Sequence, residues 1–143
     1  MSLERSLVII KPDAMHTGLG GAIISRLEAK GLRVAGIKLV HMDRAMAERH
    51  YGMHRGKAFF EELMDFITSA PIMAIVFDGE NAVQVIREAM GATDPGKAEK
   101  GTIRRDFGVD VTHNAIHGSD SVDTAEEEIR LFFRENELFP RKK

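Results

Sequence analysis

An α+β fold is predicted for this chain, a ferredoxin-like sandwich in which a four-stranded antiparallel sheet carries packed helices. Four short β-type runs alternate with stretches of helical period, in the order strand, helix, strand, two helices, strand, helix, long loop, strand, helix. In folds of this type the crossovers pair and the helices gather on one face of the sheet. A doubly wound sheet is the competing architecture. Its Gly-rich fingerprint is missing after the first strand, because residues 17–21 (TGLGG) lack the required spacing.

Length and composition indicate the broad class of protein. The 143 residues predict a single domain, residues 1–143, with one core region. A net charge of -2 and a pI of about 6.3 make nucleic acid unfavourable as the main partner. The absence of cysteine excludes a disulfide framework and thiol catalysis and favours a reducing, cytoplasmic location. No apolar run is long enough to predict a membrane span or a secretory signal.

The first third of the chain predicts a strand, a helix and a second strand. The first strand covers residues 6–10, and it ends where Pro12 cannot donate a ladder hydrogen bond. A helix follows from Gly18 and stops at Gly31. Residues 32–40 then read as a strand whose alternation slips, which predicts a bulge near Gly36.

The middle third predicts two helices, a buried strand and another helix. Asp43 is the expected N-cap of a helix through residue 51, and residues 59–69 form a second, strongly apolar helix. The continuous apolar run at 72–77 predicts a central strand, and residues 78–81 are expected to turn the chain. Residues 83–90 complete the set as a helix closed by Gly91.

The last third begins with the least regular stretch, residues 92–101, which contains the turn signal TDPG and predicts an exposed loop. Residues 102–107 carry two arginines and show no clear period. The fourth strand is expected to end in the small polar residues that follow His117. Asp123, with Glu126 at capping-box spacing, is expected to start the final helix, and residues 138–143 read as a short polar tail.

His117 is the candidate catalytic residue. It stands in residues 114–121 (NAIHGSDS), where an apolar run gives way to Gly118, Ser119 and Asp120, whose short side chains leave room for a ligand. Glu128 follows eleven residues later on the predicted last helix. A carboxylate that returns to a histidine can fix its tautomer and leave one ring nitrogen free as a nucleophile. The alternative is a loop histidine with a structural role.

A second set of side chains has the chemistry of a phosphate site. Lys11, Arg87, Thr93 and Arg104 all fall at the ends of predicted elements or in the long loop. Each alone reads as a surface group. Together they offer what a triphosphate requires, because arginine presents a planar fork to phosphate oxygens and threonine adds a donor.

Two other motifs are rejected. Residues 91–98 (GATDPGKA) imitate a Walker A loop, but alanine replaces the hydroxyl residue that would hold magnesium, and the segment follows a helix instead of a strand. His50 and His54 have the spacing of two zinc ligands on one helix. Tyr51 occupies the place of the catalytic glutamate, however, and Gly52 interrupts the helix, so zinc is not expected at this pair.

Five stretches of the chain, taken together, resemble the nucleoside diphosphate kinase family over nearly the whole length. They are IKPD at residues 10–13, HYGMHRGKAFF at 50–60, GTIRRDF at 101–107, NAIHGSDS at 114–121 and EEI at 127–129. The resemblance implies a ping-pong enzyme that moves the γ-phosphoryl group of a nucleoside triphosphate, typically ATP, to a nucleoside diphosphate. It also implies broad base specificity and Mg²⁺ bound through the nucleotide phosphates. A homo-oligomer, either a tetramer or a hexamer, is implied as well.

The same resemblance implies a role for each matching residue. His117 would be the phosphorylated nucleophile, supported by Glu128 and Ser119, with Lys11 and Tyr51 also in the catalytic group. Phe59 would stack on the base, with Val111 on its other side. The phosphates and ribose would be held by Lys11, Tyr51, Arg87, Thr93, Arg104 and Asn114.

One departure from the family pattern is Arg105, which stands where a small residue is common. Two other functions remain open on the sequence. The chain could be a nucleotide-responsive interaction module that binds without turnover, although a lost His117, Lys11 or Glu128 would then be expected and none is lost. Weak DNA binding through Arg104, Arg105 and the basic tail is the third possibility, and the overall acidity argues against it as the main function.

Overall fold

Four antiparallel strands form one sheet in the computed structural model, which describes residues 3–139, without the side chain of Met53. The strand order is β2-β3-β1-β4, so the first strand of the chain lies in the interior of the sheet beside the third and fourth. This arrangement confirms the predicted α+β, ferredoxin-like class. The strands are β1 (Leu3–Ile10), β2 (Arg33–Val40), β3 (Ile72–Glu80) and β4 (Ile116–Gly118).

Seven α-helices connect and cover the strands in the described part of the chain. They are α1 (Pro12–His16), α2 (Gly20–Glu28), α3 (Arg44–Tyr51), α4 (Phe60–Ile67), α5 (Ala82–Met90), α6 (Ile103–Phe107) and α7 (Val122–Phe132). Short 3-10 helices follow at Gly52–His54, Pro95–Lys97 and Glu135–Glu137. None of the helices between residues 3 and 139 combines the length and apolarity needed to cross a membrane.

The sheet is covered on both faces, so the expectation that the helices gather on one face is wrong. In the second half of β1, residues Leu7–Ile10 point alternately to opposite sides of the sheet and are all fully buried. Leu7 and Ile9 pack in a cluster with α3, α4 and α7, while Val8 and Ile10 pack in a second cluster with α2 and α5. A strand that is apolar on both faces must be covered on both, and this requirement places β1 at the centre of the molecule.

Several local predictions are confirmed. The Asp43 carboxylate accepts a hydrogen bond from the Met46 backbone N–H at 2.8 Å, so Asp43 is the N-cap of α3. The pairing of β2 with β3 shifts register between Val34 and Gly36, where the bulge was expected. Gly91 ends α5 with a φ of 85°, a conformation that glycine adopts without strain.

Two predicted boundaries are wrong. Residues 78–81 do not simply turn the chain, because β3 continues to Glu80 and pairs there with Leu3 of β1. Residues 78–80, which suggested a turn, lie in the strand and pair with β1 instead. The final helix is capped by Ser121, whose Oγ accepts from the Thr124 N–H at 3.1 Å, and not by Asp123, which lies in the first turn.

Two short helices had no sequence assignment. Pro12 was interpreted as the end of the first strand, and it also begins α1, since proline suits the first position of a helix as well as it stops a ladder. Residues 102–107 form α6, whose N-cap Thr102 accepts from the Arg105 N–H at 3.3 Å. A helix of five residues shows too little of the 3.6-residue period to be detected from the sequence.

The polar tail was predicted to begin at residue 138, but this residue still packs on the sheet. Leu138 is buried and lies over β2, with its side chain close to Gly36. The 3-10 helix Glu135–Glu137 brings the chain back to the sheet, and the Phe139 N–H donates to the Ala35 carbonyl at 2.7 Å. The rest of the expected tail, residues 140–143, lies outside the described residues.

This docking predicts opposite effects for two glycine substitutions. A Cβ at position 36 would lie 2.8 Å from Leu138 Cδ2 and 3.1 Å from the Glu137 carbonyl oxygen, so Gly36→Ala should lower the free energy of unfolding by about 1–3 kcal/mol. Gly21, inside α2, has open space around it, and Gly21→Ala should raise stability by about 0.5–1 kcal/mol. Denaturant unfolding measures both. Equal stability of the two variants would contradict the packing of Leu138 on β2.

Candidate functional site

A cavity of about 510 Å³ opens where several element ends meet, a volume within the range of small-molecule sites. The end of β1, the end of α3, the loop after α5, helix α6, strand β4 and helix α7 all contribute to its wall. Every residue to which the sequence assigned a role lines this cavity except Ser119. Ser119 is fully buried behind the wall and contacts Glu128.

His117 lies in the middle of β4, opposite Ile9 of β1, and its side chain is partly open to the cavity. Its Nε2 lies 3.2 Å from Glu128 Oε1, and Ser119 Oγ donates to the same oxygen at 2.6 Å. Within residues 3–139, no side chain or backbone group hydrogen-bonds to His117 Nδ1. The ring is therefore held at one nitrogen and open at the other.

The protonation state of Glu128 follows from its surroundings. Burial acts to raise the pKa of this carboxyl group, but the hydrogen bonds and charge of His117 and the hydroxyl of Ser119 outweigh burial and hold the pKa below its ordinary value. An ionised carboxylate is an acceptor, so it requires the proton of a neutral imidazole to lie on Nε2. The lone pair is then on Nδ1, the nitrogen of a histidine nucleophile that remains free to react.

Two cations are buried in the cavity wall without an acidic partner within salt-bridge distance. Lys11 donates from Nζ to the Asn114 side-chain oxygen at 2.8 Å, and burial, followed by the charge of Arg104, lowers its pKa to about 8. Arg104 donates to the carbonyls of Ile116, at 2.8 Å, and Gly91, at 3.2 Å, and burial, followed by the charge of Arg87, lowers its pKa to about 10. Neutral acceptors leave much of the positive charge available to an anion in the cavity.

The remaining predicted residues are arranged at different depths. Arg87 is partly exposed and forms an ion pair with Asp120 at 2.6 Å. The Asn114 amide donates to the carbonyls of Thr93, at 2.9 Å, and Val111, at 3.2 Å, which ties the loop after α5 to the wall. Phe59 and Val111 are exposed apolar side chains at the opening. This depth order places charge inside and apolar surface outside.

Tyr51 is buried at the base of the cavity, where burial raises the pKa of its hydroxyl. Within residues 3–139, its hydroxyl oxygen has no hydrogen-bond partner, and the Nε of Arg104 is also buried without one. Buried polar atoms are nearly always paired in native proteins, so these two residues of the cavity wall each keep an unused hydrogen-bonding atom.

Sequence reasoning missed His50, which it interpreted as part of a helix end. The ring is fully buried, with its centroid 4.7 Å from that of His117, and its Nδ1 lies 3.7 Å from Glu128 Oε2. Burial, followed by the nearby charge of His117, lowers the pKa of His50 to about 3, so this imidazole is neutral. Its position beside Tyr51 was the available signal, since Tyr51 was assigned to the site.

Asp13 and Ala115 were also missed, although both lie next to assigned residues. Ala115 has a φ of 73°, in the left-handed region that residues with a Cβ seldom adopt. The Asp13 carboxylate accepts from the Ala115 N–H at 3.0 Å, and the Lys11 N–H donates to the Ala115 carbonyl at 2.9 Å. These two hydrogen bonds stabilise the left-handed backbone at Ala115, and this backbone sets the orientation of the neighbouring residues Asn114 and Ile116.

The carboxylates of the cavity wall do not form an oxygen cage for a hard divalent cation. The two that line it are Asp120, which is paired with Arg87, and Glu128, which is engaged by His117 and Ser119. Hard cations such as Mg²⁺ bind through few protein carboxylates when substrate phosphates supply the other oxygens. The site therefore fits a cation carried on the phosphates of a ligand.

Comparisons with known proteins match nearly the whole chain to one family. The sequence model of the family "Nucleoside diphosphate kinase" matches residues 4–138. A nucleoside diphosphate kinase of Dehalococcoides mccartyi is 52% identical over 95% of this chain and 96% of its own length, and one of Thermomicrobium roseum is 53% identical over 95% and 91%. The solved structure of a halophilic nucleoside diphosphate kinase from Halobacterium salinarum in complex with CDP superposes with a TM-score of 0.95. That structure is 46% identical and covers 99% of this chain and 95% of that one.

Cavity, cations and oriented histidine thus occur in a chain whose relatives at about 50% identity are enzymes of one kind. The chain belongs to the nucleoside diphosphate kinase family, whose members transfer phosphoryl groups between nucleotides with the help of a divalent cation.

Proposed function

We propose that this protein carries the γ-phosphoryl group of a nucleoside triphosphate, typically ATP, on His117 and passes it to a nucleoside diphosphate. The observation that supports this role is a single arrangement of three side chains. Glu128, whose pKa is lowered first by His117 and further by Ser119, holds Nε2 of a partly exposed imidazole, while Nδ1 has no hydrogen-bond partner within residues 3–139. The ring opens into a cavity with buried cations in its wall.

The reaction consists of two half-reactions at one site. In the first, the lone pair of His117 Nδ1 attacks the γ-phosphorus, and the bond from that phosphorus to the β,γ-bridging oxygen breaks. The nucleoside diphosphate leaves with the electron pair, and the imidazolium that forms is stabilised by Glu128 through Nε2–H. In the second, a terminal oxygen of another diphosphate attacks the phosphoimidazole, and the ring returns to its neutral state.

The phosphates and ribose would be bound by Lys11, Tyr51, Arg87, Thr93, Arg104 and Asn114. Tyr51 and Arg104 line the cavity together, and the guanidinium of Arg104 offers the planar, charged donors that a phosphate binds. Lys11 and Asn114 are already joined at 2.8 Å and would meet the sugar hydroxyls together. Charge that develops on the transferring group would be stabilised in a site where water is partly excluded.

The base would lie between Phe59 and Val111 at the cavity opening, where both are exposed apolar surfaces. Stacking on an aromatic ring accepts purines and pyrimidines alike, because every base has a π-face. Broad base specificity follows from such a platform.

Mg²⁺ is the proposed cation, bound to the nucleotide phosphates and not to a protein cage. When bound it would neutralise phosphate charge, and Arg87 and Arg104 would contact the phosphate oxygens that it leaves free. We further propose that residues 1–143 form one such domain in the cytoplasm, and that the protein assembles as a homo-oligomer of four or six subunits.

The phosphohistidine predicts a covalent intermediate that can be isolated. Incubation with γ-labelled ATP should leave acid-labile, base-stable phosphate on the protein, and His117→Ala should abolish it and slow exchange between ATP and a second diphosphate by at least about a thousandfold. His16→Ala, at an exposed histidine of α1, is the matched control and should keep both properties. Label that persists in His117→Ala would refute the assignment, and binding without any exchange would favour the interaction module.

Replacing the Glu128 carboxylate by an amide is predicted to lower the rate of phosphoryl transfer. Glu128→Gln keeps the shape of the side chain but offers His117 Nε2 an N–H, which favours the tautomer with its proton on Nδ1. We expect kcat to fall by at least about a hundredfold, since a misdirected tautomer removes the nucleophile. Single-turnover phosphorylation of the enzyme measures this step directly, and an unchanged rate would show that Glu128 does not orient the ring.

The lowered pKa of Lys11 predicts the alkaline limb of the pH profile. The amino group is charged below a pKa of about 8 and neutral above it, so phosphate or sugar contacts that need the charge weaken as pH rises. We expect kcat/KM for ATP to decline above about pH 8 in the native enzyme. In Lys11→Arg the decline should move to higher pH, because arginine stays protonated. Superimposable profiles would exclude Lys11 as the titrating group.

A further inference from the structure

His50 is a buried polar side chain that the proposed chemistry does not use. Its side chain has no exposed surface, and neither ring nitrogen has a hydrogen-bond partner in the part of the chain that the structure describes. The residue lines the innermost part of the cavity, in edge contact with the rings of Tyr51, His117 and Phe132. A neutral imidazole always carries one lone pair, so His50 presents an unused donor atom to this space.

The donor atoms of three residues meet at this point. His50, His117 and Glu128 each offer one ligand atom, and these atoms lie within 4.8 Å of one another. His50 Nδ1 is 3.7 Å from Glu128 Oε2, and His117 Nε2 is 3.2 Å from Glu128 Oε1. Tetrahedral zinc with bonds of about 2.0–2.2 Å separates its ligands by about 3.3–3.6 Å. Each imidazole lies close to this distance from its own oxygen of the Glu128 carboxylate, so the three ligand atoms would have to draw together by a small side-chain movement to bind one metal ion.

We infer that His50, His117 and Glu128 form an inhibitory site for Zn²⁺ or a cation of the same type, separate from the cation carried by the nucleotide. Two imidazoles and one carboxylate are ligands that zinc prefers and magnesium does not. The side chains of His117 and Glu128 are partly exposed to the cavity, and water or a phosphate oxygen can approach a metal ion from that side as a fourth ligand. Ser119 can keep its hydrogen bond to the Glu128 carboxylate while the metal is bound.

This site would block the reaction through the tautomer of His117. A metal on Nε2 uses the lone pair of that nitrogen, and the proton of the neutral ring then lies on Nδ1, where the attack on phosphorus takes place. Conversely, a phosphoryl group on Nδ1 keeps the proton on Nε2, which faces Glu128. Metal binding and phosphorylation of His117 therefore exclude each other, and by linkage each weakens the other equally. This exclusion rests on the proposed phosphohistidine, whereas the metal site itself does not.

The metal site is tested by equilibrium dialysis of the full, nucleotide-free chain against Zn²⁺ alone. We expect one tightly bound Zn²⁺ per protomer, and we expect His50→Phe to weaken it by at least about tenfold. The matched control is His113→Asn, which removes an exposed histidine that also contacts a carboxylate, Asp110, at 3.0 Å. That variant should retain the tight site. Equal zinc binding by native protein and His50→Phe would overturn the inference.

A second measurement needs no variant and does not depend on the folding of His50→Phe. Co²⁺ bound to the native protein should give the visible absorption of a tetrahedral site. The absorption should disappear after phosphorylation by labelled ATP and return when a diphosphate removes the label. An absorption that is unchanged in fully labelled protein would overturn the exclusion while the proposed function stands. Protein that binds Zn²⁺ and Co²⁺ but takes no label from Mg²⁺-ATP after both metals have been removed would contradict the proposed function and leave the metal site in place.

Discussion

The Glu128 carboxylate is the interaction on which the arrangement of the site depends. It binds His117 Nε2 and the Ser119 hydroxyl at one oxygen, and it thereby joins α7 to the end of β4. Ser119 extends the link to β1, since its Oγ accepts from the Leu7 N–H at 3.3 Å and lies 3.4 Å from the Leu7 carbonyl. One buried charge thus ties three elements together, and it remains ionised because the hydrogen bonds of His117 and Ser119 to it outweigh the effect of burial.

The positive charges in the cavity wall remain available to a ligand because their hydrogen-bond partners are neutral. Lys11 and Arg104 are held by a side-chain amide oxygen and by backbone carbonyls, all of them neutral, and burial lowers the pKa of both cations. Burying cations without acidic partners costs stability, and the cost is recovered only when an anion binds. A fold that carries such cations in one cavity, beside an oriented imidazole, is organised for a phosphorylated ligand. The same preorganisation brings His50 close enough to Glu128 to complete a set of metal ligands.

Local chemistry in the sequence predicted a large part of the fold and the charged residues of the cavity wall, and the resemblance to the family added Tyr51, Phe59, Val111 and Asn114. Asp43 as a cap, the bulge at Gly36 and the central apolar strand are properties of neighbouring residues, which a pattern can record. The wrong predictions arose because a local pattern does not record contacts between distant parts of the chain. Ser121 and Asp123 are both capping residues, and their competition was decided by the φ of the backbone, while the turn expected after residue 77 was overridden by pairing with β1. Leu138 was assigned to a polar tail because its partner, Gly36, is distant in sequence.

The sequence by itself determined which chemical groups are present, the order of the elements and the motif around His117 that identifies the family. The tertiary structure decided how these groups meet. Lys11 and Asn114 are 103 residues apart and touch because β4 pairs with β1 in one register, and the same pairing aligns His117 with Ile9. The burial of His50 is equally a product of packing, since a periodic pattern reports which side of a helix is apolar but not which distant side chains cover it.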